Sequence, residues 1–178
     1  MGAPTPLRTL CRHALAERHH IRLAYWASFA DFLKARNSTF RIKRANKDHW
    51  FEFPVGRSGF VISATISTDK QRIGVELYVA NDALKRAFKA LAAQKEAIER
   101  EFGEPLEWQE LPGKKASRIA TFRRDTDPSD EAARDEQHAW MLSKMERFRD
   151  VFAHRVKLLK LDSAAEEVSA GGDNEEVI

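Results

Sequence analysis

Residues 50–79 alternate between apolar and polar side chains, which is the period of a β-strand with one buried face. Turn residues interrupt the alternation at Gly56–Gly59 and again at Thr68–Gln71. The pattern therefore predicts an antiparallel meander of three strands, with an apolar face turned to helices and a polar face opposite. We assign these residues to the apolar face: Phe60, Ile62, Val75 and Leu77. We assign these to the polar face: Ser63, Thr65, Arg72 and Glu76.

Helical periodicity precedes and follows this meander. Apolar residues that include Leu23, Trp26 and Leu33 predict a core-facing helix over 18–36, after a loose lead-in formed by residues 1–17. A second helix is predicted over 83–102, with Asn81 or Asp82 as its cap and Gly103 at its end. A third is predicted to begin at Asp127-Pro128 and to run to about Leu161.

A second hairpin is predicted between the last two helices. Leu106 and Trp108 alternate with polar residues, the segment 112–115 supplies a turn, and residues 117–122 form the partner strand. The element order is then α-βββ-α-ββ-α. We predict an α+β fold over residues 18–161, with about five antiparallel strands in one sheet and the helices packed on one face.

Composition favours one domain in a reducing compartment. A chain of 178 residues with 43% apolar content can bury a single core. The single cysteine, Cys11, excludes an intrachain disulfide and a cysteine-based zinc cluster, which favours the cytoplasm. No apolar run approaches the roughly 20 residues that span a bilayer, so we expect no membrane association.

Charge is unevenly distributed along the chain. Residues 162–178 contain six acidic residues and no Lys or Arg, so the rest of the chain carries +9 although the whole carries +3. We expect this acidic tail to be disordered, because it has too little apolar surface to offset its ordering entropy. The basic remainder can attract polyanions.

The polar face of the meander is the first candidate site. Period-two spacing places Arg72, Glu76 and Tyr78 together, and a guanidinium, a carboxylate and a phenol on one face can bind a ligand. The alternative is that Arg72 and Glu76 form the cross-strand ion pairs that are common in antiparallel sheets. His138 is a further candidate, although a hydrogen-bonded histidine at a helix boundary is the ordinary interpretation.

Basic residues form the second candidate site, a nucleic-acid surface. They cluster before Trp50 and around the second hairpin, and loops that mix Lys or Arg with an aromatic residue can hold phosphates and stack bases. The candidate residues are Arg41, Lys43, Arg44, Lys47, Trp50, Arg57, Lys114, Lys115 and Arg118. The alternative is ordinary solvated surface charge.

A metal-dependent nuclease is the catalytic alternative. Glu76 followed by Glu107-x-Gln109 resembles the carboxylates that hold Mg²⁺ in such enzymes. In such enzymes the acidic residue and the Glu-x-Gln element lie on adjacent strands, whereas here a predicted helix separates Glu76 from Glu107. The histidines form no ligand pattern either, so we assign no catalytic residue, no metal site and no cofactor.

Several motifs together resemble the bacterial domain of unknown function 4268 family. They are Tyr25-Trp26, His49-Trp50, the segments 56–60 and 72–78, Glu107-Trp108, the segment 114–119, and Gln137-His138-x-Trp140. The family has no established activity. In its longer members the domain follows a half that resembles a PD-(D/E)xK nuclease, and this chain lacks that half.

The resemblance implies an accessory or recognition module of DNA processing or defence, with nucleic acid or a nuclease-like protein as the partner. A structural domain that forms a homodimer is the remaining alternative. These classes predict different surfaces: converging carboxylates for an enzyme, a continuous positive face for a binding module, and an apolar patch for a dimer.

Overall fold

The structure is a computed structural model, and it describes residues 6–161. Its elements are α1 (Pro6–Ala35), β1 (Trp50–Pro54), β2 (Phe60–Ser67), β3 (Arg72–Val79), α2 (Arg86–Ala92), α3 (Lys95–Phe102), β4 (Glu107–Gln109), β5 (Ser117–Arg124) and α4 (Arg134–Leu158). The strands form one antiparallel sheet in the order β1-β2-β3-β5-β4. The predicted α+β class and five-stranded sheet are therefore confirmed.

The register of β2 and β3 separates an apolar face from a polar one. Ile62 lies opposite Leu77, whereas the next pair along the strands is Ser63 opposite Glu76. Phe60, Ile62, Val75 and Leu77 are all buried, which confirms their assignment to the core face. Their polar neighbours lie on the opposite face, as the alternation predicts: Ser63, Thr65, Arg72 and Glu76.

The core lies between the apolar face of the sheet and the long helices. α4 packs on β2 and β3 and also contacts α1 and α3. Trp26 joins α1 to the sheet, because its ring stacks on Phe51 at 5.4 Å between centroids and its Nε1 donates to the Asp48 carbonyl at 2.8 Å. A fully buried aromatic residue of this kind stabilises the fold by about 1.5–3 kcal/mol.

The predicted start of the first helix is wrong. α1 begins at Pro6 and not at Arg18, so residues 6–17, predicted as part of the loose lead-in, are helical. This stretch carries Leu7, Leu10 and Ala14 at helical spacing, and Ala14, Leu15 and Ala16 have high helix propensity. The predicted division into domains otherwise stays a prediction, and the acidic tail lies outside the described residues.

The single helix predicted over 83–102 is two helices. α2 ends at Ala92 and α3 begins at Lys95, and α3 ends at the predicted Gly103, which adopts a left-handed conformation with φ 94°. Lys85 is also left-handed, with φ 57°, so the helix cannot begin before Arg86. The Asp82 carboxylate accepts from the backbone N–H of Ala87 and of Phe88, as a capping residue would.

α4 begins at Arg134, seven residues after the predicted Asp127 cap. The Asp127 carboxylate instead accepts from the backbone N–H and the hydroxyl of Ser129, which closes a local turn. Gln137, in the first turn of α4, donates to the Asp127 carbonyl at 2.8 Å. The segment before α4 is therefore an ordered turn tied to the helix.

Within residues 6–161, no helix combines the length and the apolarity that crossing a membrane requires.

Candidate functional site

A cavity of about 500 Å³ lies on the polar face of the sheet. We call it the sheet cavity. Strands β1, β2, β3 and β5 supply most of its lining, and α1 and the residue before β1 contribute from one side. Its charged lining residues are Arg22, Glu52, Lys70, Arg72, Glu76 and Arg118. Its volume is within the range of small-molecule sites.

Gly74 determines the shape of the cavity floor. Phe122 lies directly opposite Gly74 in the β3–β5 register. A Cβ on Gly74 would lie 2.7 Å from Phe122 Cε1 and 2.8 Å from Thr65 Oγ1, so only glycine leaves room for the ring at this position. The Arg72 guanidinium carbon stands 3.9 Å from the centre of the same ring. This cation–π contact holds a positive charge above the middle of the sheet.

Trp50 and His49 form one rim of the cavity. Trp50 is 36% exposed, and the His49 ring meets it edge-on at 4.5 Å between centroids. The hydrogen bond from Trp26 to the Asp48 carbonyl anchors the segment from which both side chains project. Burial lowers the pKa of His49, and the positive charges of Arg22 and Arg118 lower it further. The imidazole is therefore neutral near pH 7.

Glu76 is a buried carboxylate that lines the cavity. It is 4% exposed, and the nearest opposite charge is Arg118, whose Nη1 lies 3.7 Å from Glu76 Oε2. Burial raises the pKa of Glu76 above its usual value, although Arg118 and Arg72 act in the opposite direction, and the nearby Glu52 adds to the increase. Burial therefore disfavours the ionised form of Glu76, and the two arginines offset part of this effect.

Arg118 is only partly used by the protein. Its side chain crosses from β5 toward Glu76 and lies near the Tyr78 ring, with its guanidinium carbon 5.8 Å from the ring centre. Its Nε is buried and has no hydrogen-bond partner among the described residues. The Arg118 side chain is nevertheless 35% exposed and lines the cavity, so its guanidinium can donate to a ligand there.

The structure brings together the predicted ligand-face residues Arg72, Glu76 and Tyr78, and it adds Trp50 and Arg118 from the predicted nucleic-acid set. His138 does not join them. It is 1% exposed, and its ring contacts those of Tyr25 and Phe29 between α1 and α4. Burial, helped by the charge of Arg134, lowers its pKa to about 4. His138 is thus a neutral packing residue outside the cavity.

Arg57, another predicted nucleic-acid residue, caps a helix. Its Nη1 donates to the carbonyls of Val156 and Leu159 at 2.6 and 2.7 Å, at the C-terminal end of α4. A cation at that end also complements the helix dipole. The interaction explains Arg57 without a ligand.

The remaining basic residues lie in two loops. Arg41, Lys43, Arg44 and Lys47 are exposed between α1 and β1, and Lys114 and Lys115 are exposed between β4 and β5. None of these six lines the cavity. The β4–β5 loop is held by buried Lys85, whose Nζ donates to the Lys114 carbonyl at 2.7 Å and also to the Ala116 carbonyl.

Glu107 and Gln109 lie on β4, which does not pair with β3, so the expectation that they are not on a strand adjacent to Glu76 is confirmed. Ala120 of β5 separates Glu76 from Glu107, which places their backbones about 10 Å apart. Glu107 accepts from Arg124 at 2.6 Å and from Gln109 at 3.3 Å. Within the part of the chain that the structure describes, no three His, Cys, Asp or Glu residues are grouped to hold a metal ion.

Sequence reasoning missed several cavity residues. Glu52 could have been found, because it lies opposite Ser63 and the alternation of β1 already places it on the polar face. Phe122 requires the register between β3 and β5, which sequence pattern alone does not define. Arg22 and Lys70 carry no periodic signal that marks them.

Comparison with known proteins assigns the family. No curated protein and no solved structure matches the chain. The family model described as "domain of unknown function (DUF4268)" matches residues 21–156, which is more than half of the chain and includes every strand of the sheet. The chain belongs to the domain of unknown function 4268 family.

Proposed function

We propose that this domain is a non-catalytic recognition module that binds single-stranded nucleic acid in the sheet cavity. The observation that carries the proposal is the combination of a solvent-exposed Trp50 with the Arg72–Phe122 stack on the same polar sheet face. Aromatic rings on an open sheet are the usual platform for unpaired bases, and flanking cations hold the backbone.

Charge supports a polyanionic ligand. Four cationic side chains line the cavity against two carboxylates, and the chain outside residues 162–178 carries +9. The exposed basic loops add positive charge at the surface. Such a distribution attracts nucleic acid from solution before any specific contact forms.

Shape favours single strands over duplexes. The bases of a duplex are stacked and paired, so their faces are not free to stack on Trp50 at the rim of the cavity. An unpaired strand can turn one base into the cavity while its phosphates remain near Lys70 and Arg72 at the rim. The proposal extends, through the family resemblance, to an accessory role beside a nuclease-like partner in DNA processing or defence.

The test measures binding of a short fluorescent oligothymidine to the full chain by anisotropy, over a series of salt concentrations. The variant Lys70→Ala/Arg72→Ala removes two charges that line the cavity, and Lys114→Ala/Lys115→Ala removes two that do not. We expect the cavity variant to bind more weakly and to flatten the salt slope by up to about 0.7 for each lost contact. The loop variant should retain most of the affinity.

Trp50→Ala tests the stacking contact independently of charge. Loss of one stacked base should weaken binding by roughly 5- to 150-fold, with little change in the salt slope. Equal losses in the cavity and loop variants would show that only general surface charge attracts the strand. Tighter binding to duplex than to oligothymidine would refute the cavity as the site.

A further inference from the structure

Glu76 and Arg118 have hydrogen-bonding capacity that the protein leaves unused. The structure gives the Glu76 carboxylate no hydrogen bond among residues 6–161, and its distance of 3.7 Å from Arg118 is that of an ion pair without one. Arg118 Nε is likewise buried without a partner in this part of the chain. The Glu76 carboxylate lines the cavity, where water or a ligand can reach it, whereas the buried Arg118 Nε costs free energy because it has no partner.

The sheet register presents these groups side by side to a planar ligand. Glu76 lies opposite Ala120, so its diagonal neighbours on β5 are Arg118 on one side and Phe122 on the other. Ala120 is itself fully buried and does not line the cavity, whereas Glu76, Arg118 and Phe122 do. A flat ring in the cavity against these three residues meets an acceptor, a donor and an aromatic surface together.

The donor and acceptor pattern favours one base. A carboxylate with two unpaired oxygens needs two adjacent donors, and guanine provides them in N1–H and the N2 amino group. Its O6 lies next to N1 and accepts from a guanidinium. Adenine and cytosine each present one amino donor beside an acceptor, and thymine presents a single donor between two acceptors, so none of them satisfies both oxygens.

We propose that Glu76 and Arg118 form the base-reading element of the sheet cavity and that they select guanine. The inference rests on the proposed function, because it names the base that the cavity takes from a single strand. Glu76 accepts from guanine N1–H and N2–H, while Arg118 donates to O6. Trp50 and Phe122 supply the aromatic surfaces of the cavity, and Arg72 and Lys70 hold the adjacent phosphate.

The experiment uses the full chain and oligothymidines that differ only at one central position, which carries guanine, adenine, cytosine or hypoxanthine. Hypoxanthine is guanine without the N2 amino group, so it removes one of the two donors without changing the ring. We expect guanine to bind about tenfold more tightly than adenine or cytosine, which is typical of one bidentate base contact. Hypoxanthine should lose most of that advantage.

Two variants test whether Glu76 is the residue that produces the guanine preference. Glu76→Gln replaces one acceptor oxygen with a donor, so the preference for guanine over adenine and cytosine should disappear. Glu107→Gln is the matched control, because Glu107 lies on the same sheet face but is bonded to Arg124 and does not line the cavity. This control should keep the preference, and its loss there would overturn the assignment.

Direct titration with guanosine and adenosine monophosphates, beside the oligonucleotide titrations, separates the possible sources of the base. Equal affinity for all four oligonucleotides would overturn guanine selection and leave strand binding intact. Binding of guanosine monophosphate without any oligonucleotide binding would support guanine selection, and it would refute the proposed function in favour of a free nucleotide. Absence of binding by every one of these probes would overturn both.

Discussion

Replacing Gly74 with alanine tests whether this residue shapes the cavity floor. Gly74 is buried in β3 and has an ordinary strand conformation, so alanine introduces no backbone strain there. The new methyl group would instead meet Phe122 Cε1 at 2.7 Å and Thr65 Oγ1 at 2.8 Å. Real Cβ atoms are almost never so close to a neighbour, so the Phe122 ring must move.

The structure sets the size of the expected effect. Overpacking of this kind costs about 1–3 kcal/mol, and the half-exposed Phe122 can relieve part of it by turning into the cavity. That movement forfeits the stack with Arg72, which adds about 0.5–1 kcal/mol. We therefore expect Gly74→Ala to lower stability by about 1–3 kcal/mol, which corresponds to roughly 2–12 °C in Tm for a domain of this size.

A double-mutant cycle with Phe122→Ala separates the steric clash from the intrinsic effect of alanine. Without the ring, only the contact with Thr65 Oγ1 at 2.8 Å remains, so Gly74→Ala should destabilise the protein much less than it does when Phe122 is present. The coupling free energy from urea unfolding should then exceed about 1 kcal/mol. Additive losses in the two single variants would refute the contact between Gly74 and Phe122 as the reason for glycine here.

Three further predictions concern residues outside the cavity. The pKa of His138 is about 4 in the folded protein, below its ordinary value of 6.5, so stability should be complete above pH 6.5 and should fall by about 3 kcal/mol by pH 4. Urea unfolding of His138→Gln should not show this loss of stability at low pH. If the variant has the same pH profile as the unmodified protein, His138 is not the cause. Arg57→Met should lower stability by about 2 kcal/mol without weakening oligothymidine binding, and weaker binding by a folded variant would return Arg57 to the ligand site. Lys85→Met should accelerate amide exchange in the β4–β5 loop, whereas the exposed Lys89→Met should not; equal exchange in both would show that Lys85 does not anchor the loop.

The sheet was predictable because its signal is local. Alternation along each strand assigns residues to faces without knowledge of the partner strand, so Ile62 and Leu77 could be placed in the core and Glu76 on the opposite face. The helix boundaries were less accessible. They depend on the left-handed conformation of Lys85 and on a local turn at Asp127, and the identity of these residues does not predict either conformation.

The candidate site was predictable only in part, for the same physical reason. Arg72, Glu76 and Tyr78 follow one another at every second position of a single strand, so one pattern places them together. Phe122 and Arg118 reach them only through the β3–β5 pairing, which joins residues 38 to 52 positions apart across two helices. His138 shows the opposite error. It belongs to a motif that marks it as a candidate ligand residue, but in the structure its ring packs against Tyr25 and Phe29.

The two basic regions make different contributions if the proposal holds. Exposed lysines and arginines in the loops act through long-range attraction, which salt screens and which does not depend on base identity. Inside the cavity, Glu52 and Glu76 offset half of the four cationic side chains, so the lining keeps a net positive charge and also offers acceptors. Those groups are suited to discriminate between ligands, because an unsatisfied buried donor or acceptor penalises a base that does not pair with it. Attraction from the loops and selection in the cavity would then be separate properties of one sheet domain, as phosphate and base contacts are in other nucleic-acid binders.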